Sequence, residues 1–495
     1  MTTLPGLMAG VSVSFLQMLH NPGTLGRNCR VTRISCSKQA ASDVQDIGIS
    51  QEQPEDSKHV VEAQTMRNER GVKFLVGSSF YREESAVGRD LACLAGAVYK
   101  KEKGRLHVLD ALSGSGIRAA RYLAHCEADF VWANDACDGL DTLIAHNLSL
   151  ASASVASKSV QPSPYEPPSQ ELESFFSPNV KDESGRWQVT IQDANKVLLD
   201  CYMRKNYFDL IDVDSFGSDS VFLGSALSAV SYGGLLYATS TDGFSSGGHR
   251  PYNALASYGA YIRPMVYSNE IGLRMLIGGV VREAALRNMH VYPVFSHYSF
   301  HGPVFRVMLR VLPSRVFQTK DYNFIAVCNN CGETQVIKWS ALGHSSCSCS
   351  SSSTVSSLTV NGPLWTGPLH NIDDVKKMTR MAKSWGWIEG DREPGEDRRR
   401  SPPVSTKDRN LKKLLDIMLE ESNPDLQVGY IELDEISTRS KVSTPRRDNL
   451  IAALHQEGYA ASRSHVESNA IKTNCSLGKC VEISQLMARQ TPVPT

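Results

Sequence analysis

The sequence lacks any run of 18 or more apolar residues, so we predict no transmembrane helix and no membrane partner. It also lacks net charge, because 52 Lys and Arg residues balance 52 Asp and Glu residues. This balance excludes a globally basic nucleic-acid-binding protein, although a local basic face is still compatible with it. A length of 495 residues predicts two or three domains with at least one large core.

Acidic residues are absent from residues 1–42, which instead carry Arg27, Arg30 and Arg33 among many Ser and Thr residues. This composition is typical of a transit peptide, and Ile34-Ser-Cys36 resembles the end of a chloroplast transit peptide. We therefore expect a chloroplast protein, with the mitochondrion as the alternative destination. Residues 43–70 are polar, and we expect them to be flexible.

A glycine loop is the most informative local feature. A short apolar run ends at Asp110 and is followed by Gly114, Gly116 and a helical pattern from near Ile117. Such a loop lets the backbone approach a ligand and presents free N–H groups at the helix start. A second predicted strand ends at Asp135, where an acid can bind both hydroxyls of a ribose. Because the loop lacks the GxGxxG and GxxxxGK[ST] spacings, S-adenosylmethionine fits better than NAD or ATP.

Strand and helix patterns alternate between residues 105 and 312, which predicts an α/β fold with a doubly wound, mostly parallel sheet. Ligands of such sheets bind beyond the carboxyl ends of the strands. Four acids lie at or just after predicted strand ends, namely Asp110, Asp135, Asp193 and Asp214. We therefore expect these acids to line the ligand site.

Further short motifs point to one enzyme family by their number and order. They are Phe80-Tyr81, Arg89-Asp90-Leu91, the loop from Asp110 to Arg121, Asn134-Asp135, Asp193-Ala194, Asp212-Val-Asp214-Ser-Phe216-Gly217, Thr239 to Asp242, Gly362 to Leu369, Ser462 to His465 and Ile471-Lys472-Thr473. Together they resemble the tRNA (guanine-26) N2-dimethyltransferase family, over about residues 70 to 475. The resemblance implies a Rossmann-like S-adenosylmethionine-dependent methyltransferase fold with a smaller α+β C-terminal domain, in an organellar, plant-type member.

The activity that the resemblance implies is methylation of the exocyclic N2 of a guanosine in tRNA. That amine is a poor nucleophile, so transfer requires alignment with the methyl group and a carboxylate that polarises the amine or accepts its proton. Asp214 is the candidate carboxylate, and a helix N-cap is the alternative role. Phe216 and Phe80 are the candidates for stacking on the guanine, and core packing is their alternative role.

The resemblance also implies a set of cofactor-binding residues, namely Arg89, Asp110, Arg118, Asp135, Asp193 and Ala194. Within this set Asp135 binds the ribose and Asp193 the adenine amine, with the backbone N–H of Ala194 near the adenine ring. Arg89 and Arg118 contact the methionine carboxylate or stabilise the loop. A surface ion pair is the alternative role for each arginine.

The chain departs from the family motifs near the expected reaction centre. Ser215 stands where the family has Pro, Arg82-Glu83 where it has Asn-Pro, and Gly88 where it has Asn. Ser268-Asn269 also replaces a Cys-His pair. Two alternatives to the guanosine-26 enzyme therefore stay open: an N-methyltransferase acting on another RNA position, and an RNA-binding paralogue with impaired catalysis.

Four cysteines predict a metal site. Cys328-Asn-Asn-Cys331-Gly is typical of one half of a zinc knuckle, in which one loop presents two thiolates. The other half, Cys347-Ser-Cys349, has a CxC spacing that we expect to require a strained turn. We predict a structural four-cysteine zinc site, with free thiols in a decayed site as the alternative.

The C-terminal region is expected to bind tRNA, and we expect a monomer. Candidates for phosphate contact are Lys376, Lys377, Arg380, Lys383, Arg398 to Arg400, Arg446, Arg447 and Lys472. The predicted domains are a transit peptide (1–42), a flexible segment (43–70), a methyltransferase domain (71–320) with a surface insertion (151–186), a cysteine-bearing segment (321–389), a linker (390–407) and a tRNA-binding domain (408–480).

Overall fold

The computed structural model describes residues 65–156, 179–350, 357–389 and 406–490. Within these ranges, no helix combines the length and the apolar character needed to cross a membrane. The predicted transit peptide lies outside the described residues, as do most of the predicted flexible segment and residues 390–405 of the predicted linker.

The described strands form four sheets. They are β1 (Met66–Glu69), β2 (Val72–Leu75), β3 (His107–Asp110), β4 (Phe130–Asp135), β5 (Val180–Lys181), β6 (Trp187–Ile191), β7 (Phe208–Asp214), β8 (Val230–Ser240), β9 (Met289–Ser299), β10 (Val304–Pro313), β11 (Tyr322–Cys328), β12 (Thr334–Ile337), β13 (Leu358–Trp365), β14 (Ile431–Glu432), β15 (Ala461–Arg463) and β16 (Ala470–Thr473).

The α-helices alternate with these strands in the first half of the chain and cluster in the second. They are α1 (Ala86–Lys103), α2 (Ile117–His125), α3 (Asp141–Ala156), α4 (Ala194–Met203), α5 (Ser220–Ala229), α6 (Gly243–Ser246), α7 (Pro251–Tyr258), α8 (Ser268–Ala285), α9 (Ile372–Ser384), α10 (Thr406–Glu421), α11 (Leu433–Ser440), α12 (Arg447–Gln456) and α13 (Leu477–Gln490). Short 3-10 turns lie at Glu83–Ser85 and Trp339–Ala341.

The central sheet has eight strands in the order β5-β6-β4-β3-β7-β8-β10-β9. The strands from β6 to β8 are parallel, whereas β5, β10 and β9 are antiparallel additions at the two sides. Parallel neighbours require crossover connections, which α2, α4 and the other helices between the strands supply. The predicted Rossmann-like α/β fold is therefore confirmed.

Alternate side chains of the sheet enter two different cores. In β3, Val108 packs in the core with α1, α2 and α3, while Leu109 packs in the core with α4, α5 and α8. Helices therefore cover both faces of the sheet, as expected for parallel strands. Polar side chains of the strands can then meet a ligand only where the strands end.

The flexible segment that we predicted for residues 43–70 includes a strand at its end. Residues 66–69 form β1, which pairs with β2 in an antiparallel hairpin. Glu69 closes this strand and is buried, where its carboxylate accepts hydrogen bonds from Arg89 and Arg121. The polar composition of this stretch reflects an internal ion-pair network, and composition alone cannot distinguish that from a solvated segment.

The predicted surface insertion at 151–186 is also too wide. Helix α3 continues to Ala156, and Val180–Lys181 forms β5 at the edge of the central sheet. Residues 157–178 of this prediction lie outside the described residues. The strand β5 could not be predicted, because a two-residue edge strand carries almost no periodic signal.

Helix α10 does not belong to the separate C-terminal domain that we predicted from residue 408. Its apolar stripe, Leu411, Leu415 and Met418, is buried in the same core as α1, α2 and α9. The side chain of Arg70 also contacts Asp408 at the start of this helix. An amphipathic pattern identifies the buried face of a helix but does not identify the surface that covers it.

The remaining C-terminal elements do form a smaller α+β unit. Helices α11, α12 and α13 pack with the sheet β14-β16-β15 around a third core that includes Leu450, Leu454 and Ile471. Lys472 of β16 is buried, and its ammonium group donates to Glu270 of α8 at 2.5 Å. This ion pair joins the C-terminal unit to the methyltransferase domain.

Candidate active site

The predicted acids do lie at one edge of the central sheet. Asp110 ends β3, Asp135 ends β4 and Asp214 ends β7, while Asp193 follows the end of β6. These strands are parallel neighbours, so their carboxyl ends lie side by side. The structure therefore brings together four acids that are spread over more than a hundred positions of the sequence, from Asp110 to Asp214.

The glycine loop between β3 and α2 is built around Asp135. The N–H of Gly114 donates to one carboxylate oxygen of Asp135 at 2.8 Å, and the N–H of Cys137 donates to the other at 2.9 Å. Gly114 and Gly116 both have positive φ, which glycine adopts without strain. A Cβ at Gly114 would meet nothing within 4 Å, so there is open space beside this residue of the loop.

Asp110 is fully buried beneath the loop. One of its oxygens accepts a hydrogen bond from the N–H of Ala119 at 3.2 Å, while Oδ1 has no partner. Burial and the neighbouring Asp212 raise the pKa of Asp110 well above its ordinary value. A buried oxygen without a partner is costly, and a positively charged ligand group would satisfy it.

Asp193 and Ala194 lie at the N-terminus of α4. Asp193 is the N-cap of the helix, and its side chain accepts from the N–H of Lys196 at 3.2 Å. Ala194 is the first residue of the helix, where backbone N–H groups have no partner within the helix. Sequence reasoning expected these residues at the adenine, and a helix start of this kind can bind a polar ring edge.

Arg118 holds the two acids of β7. Its guanidinium donates to Asp212 at 3.1 Å and also contacts Asp214. Asp212 additionally accepts from the hydroxyl of Tyr122 at 2.7 Å. Arg118 therefore forms a buried ion pair and not a surface one, while its contact with the methionine carboxylate or the loop stays a prediction.

Arg89 is likewise occupied by an internal carboxylate. It lies buried in the first turn of α1 and donates to Glu69 at 2.9 Å, with its guanidinium 5.2 Å from the ring of Tyr81. The ion pair of Arg89 is therefore buried and not at the surface, because Glu69 belongs to an ordered strand. The contact with the methionine carboxylate, or with the loop, stays a prediction.

Arg306 is the cation that sequence reasoning missed. It lies on β10, only 2% exposed, and its Nη2 donates to the hydroxyl of Ser85 at 3.0 Å. Its Nε and Nη1 have no hydrogen-bond partner. A Cβ at Gly88 would lie 2.9 Å from Arg306, so the glycine that replaces the family's Asn leaves room for this side chain. The signal in the sequence is a charged residue that interrupts the apolar run of a buried strand.

Asp214 is accessible and ionised. Its side chain is 27% exposed, although burial of its surroundings would by itself raise the pKa. The charges of Arg118 and Arg306 outweigh that effect and lower the pKa of Asp214 below its ordinary value. The alternative role as a helix cap is wrong, because α5 begins at Ser220 and Asp219 occupies the N-cap position.

The turn after Asp214 directs an aromatic ring outwards. The hydroxyl of Ser215 donates to the carbonyl of Thr239 at 3.3 Å, and the N–H of Gly217 donates to the hydroxyl of Thr241 at 2.7 Å. Between these two anchors Phe216 is 71% exposed. Ser215 thus fixes the turn with a hydrogen bond at the position where the family has a proline ring.

Phe80 and Phe216 meet at the mouth of the site. Their ring centroids are 4.8 Å apart and the ring planes are nearly perpendicular, at 83°. Phe80 is also 56% exposed, so neither ring has the core-packing role that was its alternative. Exposed aromatic rings beside an ionised carboxylate form a suitable platform for a flat polar base.

A buried acid beneath this turn gives a prediction about pH. Asp219 accepts from the hydroxyl of Tyr258 at 3.0 Å, and burial raises its pKa to about 7. Because the folded pKa lies above the unfolded one, this contribution to stability is complete below pH 3.8 and is lost as the pH rises to about 7. We expect Asp219→Asn to increase the free energy of unfolding at pH 8 by up to about 4 kcal/mol.

Chemical denaturation at pH 5 and pH 8 checks this prediction. The gain from Asp219→Asn should be larger at pH 8 than at pH 5, and Asp425→Asn, at an exposed position, should show no such difference. An equal gain or loss at both pH values would contradict the titration of Asp219.

The four predicted zinc ligands come together. Their sulfur atoms all lie within 4.8 Å of one another. The sulfurs of Cys328 and Cys349 are 3.5 Å apart and those of Cys331 and Cys347 are 3.4 Å apart. Tetrahedral zinc with Zn–S bonds of about 2.3 Å requires separations of about 3.8 Å. No residue from 347 to 349 has a positive φ, so the CxC pair needs no left-handed turn.

Two of the basic residues expected to contact phosphate have acidic partners within the protein. Lys472 is buried against Glu270, so its predicted role is wrong, and Lys377 pairs with Glu102 at 2.6 Å. Lys376, Arg380 and Arg446 are exposed. Arg398 to Arg400 lie outside the described residues.

Comparison with known proteins places this site in a family. The family model for N2,N2-dimethylguanosine tRNA methyltransferase matches residues 62–485. A tRNA (guanine(26)-N(2))-dimethyltransferase from Pyrococcus abyssi is 26% identical over 398 residues, which cover 80% of this chain and 89% of the relative. One from Thermococcus kodakarensis is 27% identical over 410 residues, covering 82% and 92% respectively.

The fold has a counterpart among solved structures. Trm1 from Pyrococcus horikoshii, in complex with S-adenosyl-L-methionine, superposes with a TM-score of 0.64 at 23% identity. The match covers 85% of this chain and 99% of the archaeal one. Because the family model matches residues 62–485, this chain belongs to the N2,N2-dimethylguanosine tRNA methyltransferase family.

Proposed function

We propose that this chain transfers methyl groups from S-adenosylmethionine to the exocyclic N2 of guanosine 26 in tRNA. The observation that carries the proposal is the ionised Asp214 at a strand end, beside the exposed ring pair of Phe80 and Phe216. Arg118 of the helix that follows the cofactor loop fixes this carboxylate. Family membership supports the same reaction.

The residues around the loop fit the cofactor group by group. Bound S-adenosylmethionine supplies an electrophilic methyl group on a sulfonium ion. Asp135 would accept from the ribose hydroxyls, and the start of α4 at Asp193 would bind the adenine. The unpartnered Oδ1 of Asp110 would accept from the ammonium group, and the unpartnered nitrogens of Arg306 would donate to the carboxylate.

Asp214 would act on the guanine directly. Its carboxylate can accept a hydrogen bond from the N2 amine and align it towards the methyl group. The nitrogen gains positive charge as it takes the methyl group, so a carboxylate of low pKa is sufficient to accept its proton. Phe80 and Phe216 would hold the base by stacking, which offsets part of the cost of unstacking it from the RNA, on the order of a few kcal/mol.

Nucleoside analysis tests the reaction. The purified chain is incubated with labelled S-adenosylmethionine and organellar tRNA, and the digested nucleosides are separated. We expect N2-methylated guanosine from the intact tRNA and none from the same tRNA with adenosine at position 26. Methylation elsewhere would favour the alternative RNA N-methyltransferase, and cofactor binding without product would favour the RNA-binding paralogue.

The C-terminal half would bind the tRNA, as the exposed Lys376, Arg380 and Arg446 suggest. Deleting everything after residue 320 would not test this role, because it would also remove α9 and α10 from the main core. Substitution of the exposed basic residues is the appropriate test. The chain would act as a monomer, which light scattering can measure.

The four thiols would hold a structural zinc ion. Their separations suit a tetrahedral site, and no catalytic residue proposed above lies among them. We expect metal analysis to find about one zinc per chain, and Cys331→Ser to lose the metal and lower the melting temperature. Cys137→Ser, outside the cluster, should keep the zinc. Much less than one zinc in the unmodified protein would contradict the site.

The proposed destination is the chloroplast, with the mitochondrion as the alternative. The support is the absence of acids and the abundance of Arg and Ser in residues 1–42. A fluorescent protein fused after residue 42 and imaged in leaf cells distinguishes the two organelles.

A further inference from the structure

Two more exposed phenylalanines lie at the same edge of the sheet as the proposed base platform. Phe244 is 60% exposed and lies in α6, just after β8 ends, and Phe300 is 75% exposed at the turn between β9 and β10. Large exposed apolar rings of this kind commonly mark a binding surface. Neither ring was singled out by the sequence motifs.

Contacts connect these rings to the platform in a continuous arc. The guanidinium of Arg82 lies 5.2 Å from the ring of Phe80 and donates to the carbonyl of His301 at 3.1 Å. The ring of His301 in turn lies 3.9 Å from that of Phe300. The side chain that replaces the family's Asn therefore joins the platform to the β9–β10 turn.

The arc continues from this turn to α6. A Cβ at Gly243 would lie 2.5 Å from the ring of Pro303, so the β9–β10 turn and α6 are in close contact. Phe244 follows directly, and the guanidinium of Arg250 lies 4.7 Å from its ring. We call the four rings Phe80, Phe216, Phe244 and Phe300 the aromatic rim.

The occupant of the rim must accompany the reacting base, because the rim is continuous with Asp214. In an RNA chain the immediate neighbours of a guanosine are two other nucleotides, and every base has a face that can stack on an aromatic ring. We propose that Phe244 and Phe300 bind bases that neighbour the target guanosine in the RNA chain. This inference rests on the proposed tRNA methylation and extends it to the flanking nucleotides.

Stacking is the interaction that the four rings themselves offer. Glu83 and Glu84 follow Arg82 in the sequence, so the acids offset the positive charge at that point. Single rings that stack on a base contribute a factor of about ten or more to RNA affinity. We therefore expect the contribution of Phe244 and Phe300 to depend little on salt and strongly on the presence of a base.

Binding measurements that combine protein variants with altered tRNAs test the proposal. Dissociation constants are measured for the unmodified chain, Phe244→Ala and Phe300→Ala, with tRNA that is intact or lacks the base before or after position 26. We expect each variant to weaken binding of intact tRNA about tenfold. When the tRNA lacks the base that stacks on the substituted ring, the variant and the unmodified chain should bind it with the same dissociation constant.

Controls separate this role from folding and from the methylation reaction. Tyr232→Ala removes a ring that is 63% exposed at the start of β8, the opposite edge of the sheet, and should leave tRNA binding unchanged. Phe300→Trp should retain affinity for intact tRNA. Cofactor affinity should be the same in all variants, because these rings lie on α6, on the β9–β10 turn and at the start of β8, and not on the glycine loop.

The outcomes distinguish failure of the inference from failure of the proposed function. Equal losses for intact and base-free tRNA, or no loss at all, would overturn the role of the rim whether or not the chain methylates tRNA. The binding measurements do not require turnover, so absence of N2-methylguanosine would count against the proposed reaction alone. Binding of a partner protein at the rim would give the no-loss result with RNA.

Discussion

Asp214→Asn is expected to lower kcat for tRNA methylation by about 10² to 10⁴-fold while leaving the Kd for the cofactor unchanged. The amide keeps the size of the carboxylate but cannot accept the proton of the N2 amine. Arg118 would retain Asp212 as a partner, so the variant should fold. Single-turnover methylation and calorimetric titration with S-adenosylhomocysteine provide the two measurements.

The pH profile gives an independent check of the same residue. Since Arg118 and Arg306 keep the pKa of Asp214 below its ordinary value, the carboxylate stays ionised above that value. We expect no loss of kcat from protonation of Asp214 between pH 8 and pH 5. Full activity of Asp214→Asn would show that another group accepts the proton.

Ser215→Pro, which restores the family residue, should leave kcat within a few-fold of the value for the unmodified chain.

Arg306→Met is expected to weaken binding of S-adenosylhomocysteine by about 30-fold or more, because it removes a buried charge-assisted contact with the carboxylate of the ligand. Binding of methylthioadenosine, which has no amino-acid group, should not change. A purely structural arginine would affect both ligands equally. The comparison of two ligands therefore isolates the carboxylate contact.

Stability provides the second readout for Arg306. In the free protein this buried cation has one hydrogen bond, to Ser85, and no carboxylate directly bonded to it. Replacing such a charge by an apolar side chain of similar size is commonly neutral or stabilising, so the melting temperature should not fall. Arg310→Met is the matched control, because Arg310 lies on the same face of β10 near Glu102 and Asp374, at 3.7 and 3.6 Å. It should leave ligand affinity unchanged.

The strand-end acids were predictable because parallel strands place their carboxyl ends at one edge. That argument located Asp110, Asp135 and Asp214 from an apolar pattern followed by an acid, and the structure places all three at that edge. The meeting of Phe80 with Phe216 was implied only by the family resemblance. Spacing along the chain carries no information about two loops that are 136 positions apart.

What could not be predicted depends on long-range partners. Arg306 is a single charge in an apolar strand, and only the three-dimensional neighbours show that two of its nitrogens are unpartnered. The family resemblance assigned Arg89 to the ligand, and only the structure shows that Arg89 also pairs with Glu69, in a stretch that composition marked as flexible. The amphipathic stripe of α10 was correct, but its place in the main core depended on partners that the pattern does not identify, α9 and, 338 positions from Asp408, Arg70.

The place of α10 has a consequence for synthesis of the chain. The core that covers α1 and α2 includes Leu411, Leu415 and Met418, so it cannot be completed until that part of the sequence has left the ribosome. The ion pair between Arg70 and Asp408 spans 338 positions, which imposes the same delay. Multidomain chains usually fold from the N-terminus onwards during translation. Here α1, α2 and α3 already cover that face of the sheet, but the apolar surface that α10 buries would stay exposed until translation is nearly complete, and chaperones would have the longest access to it.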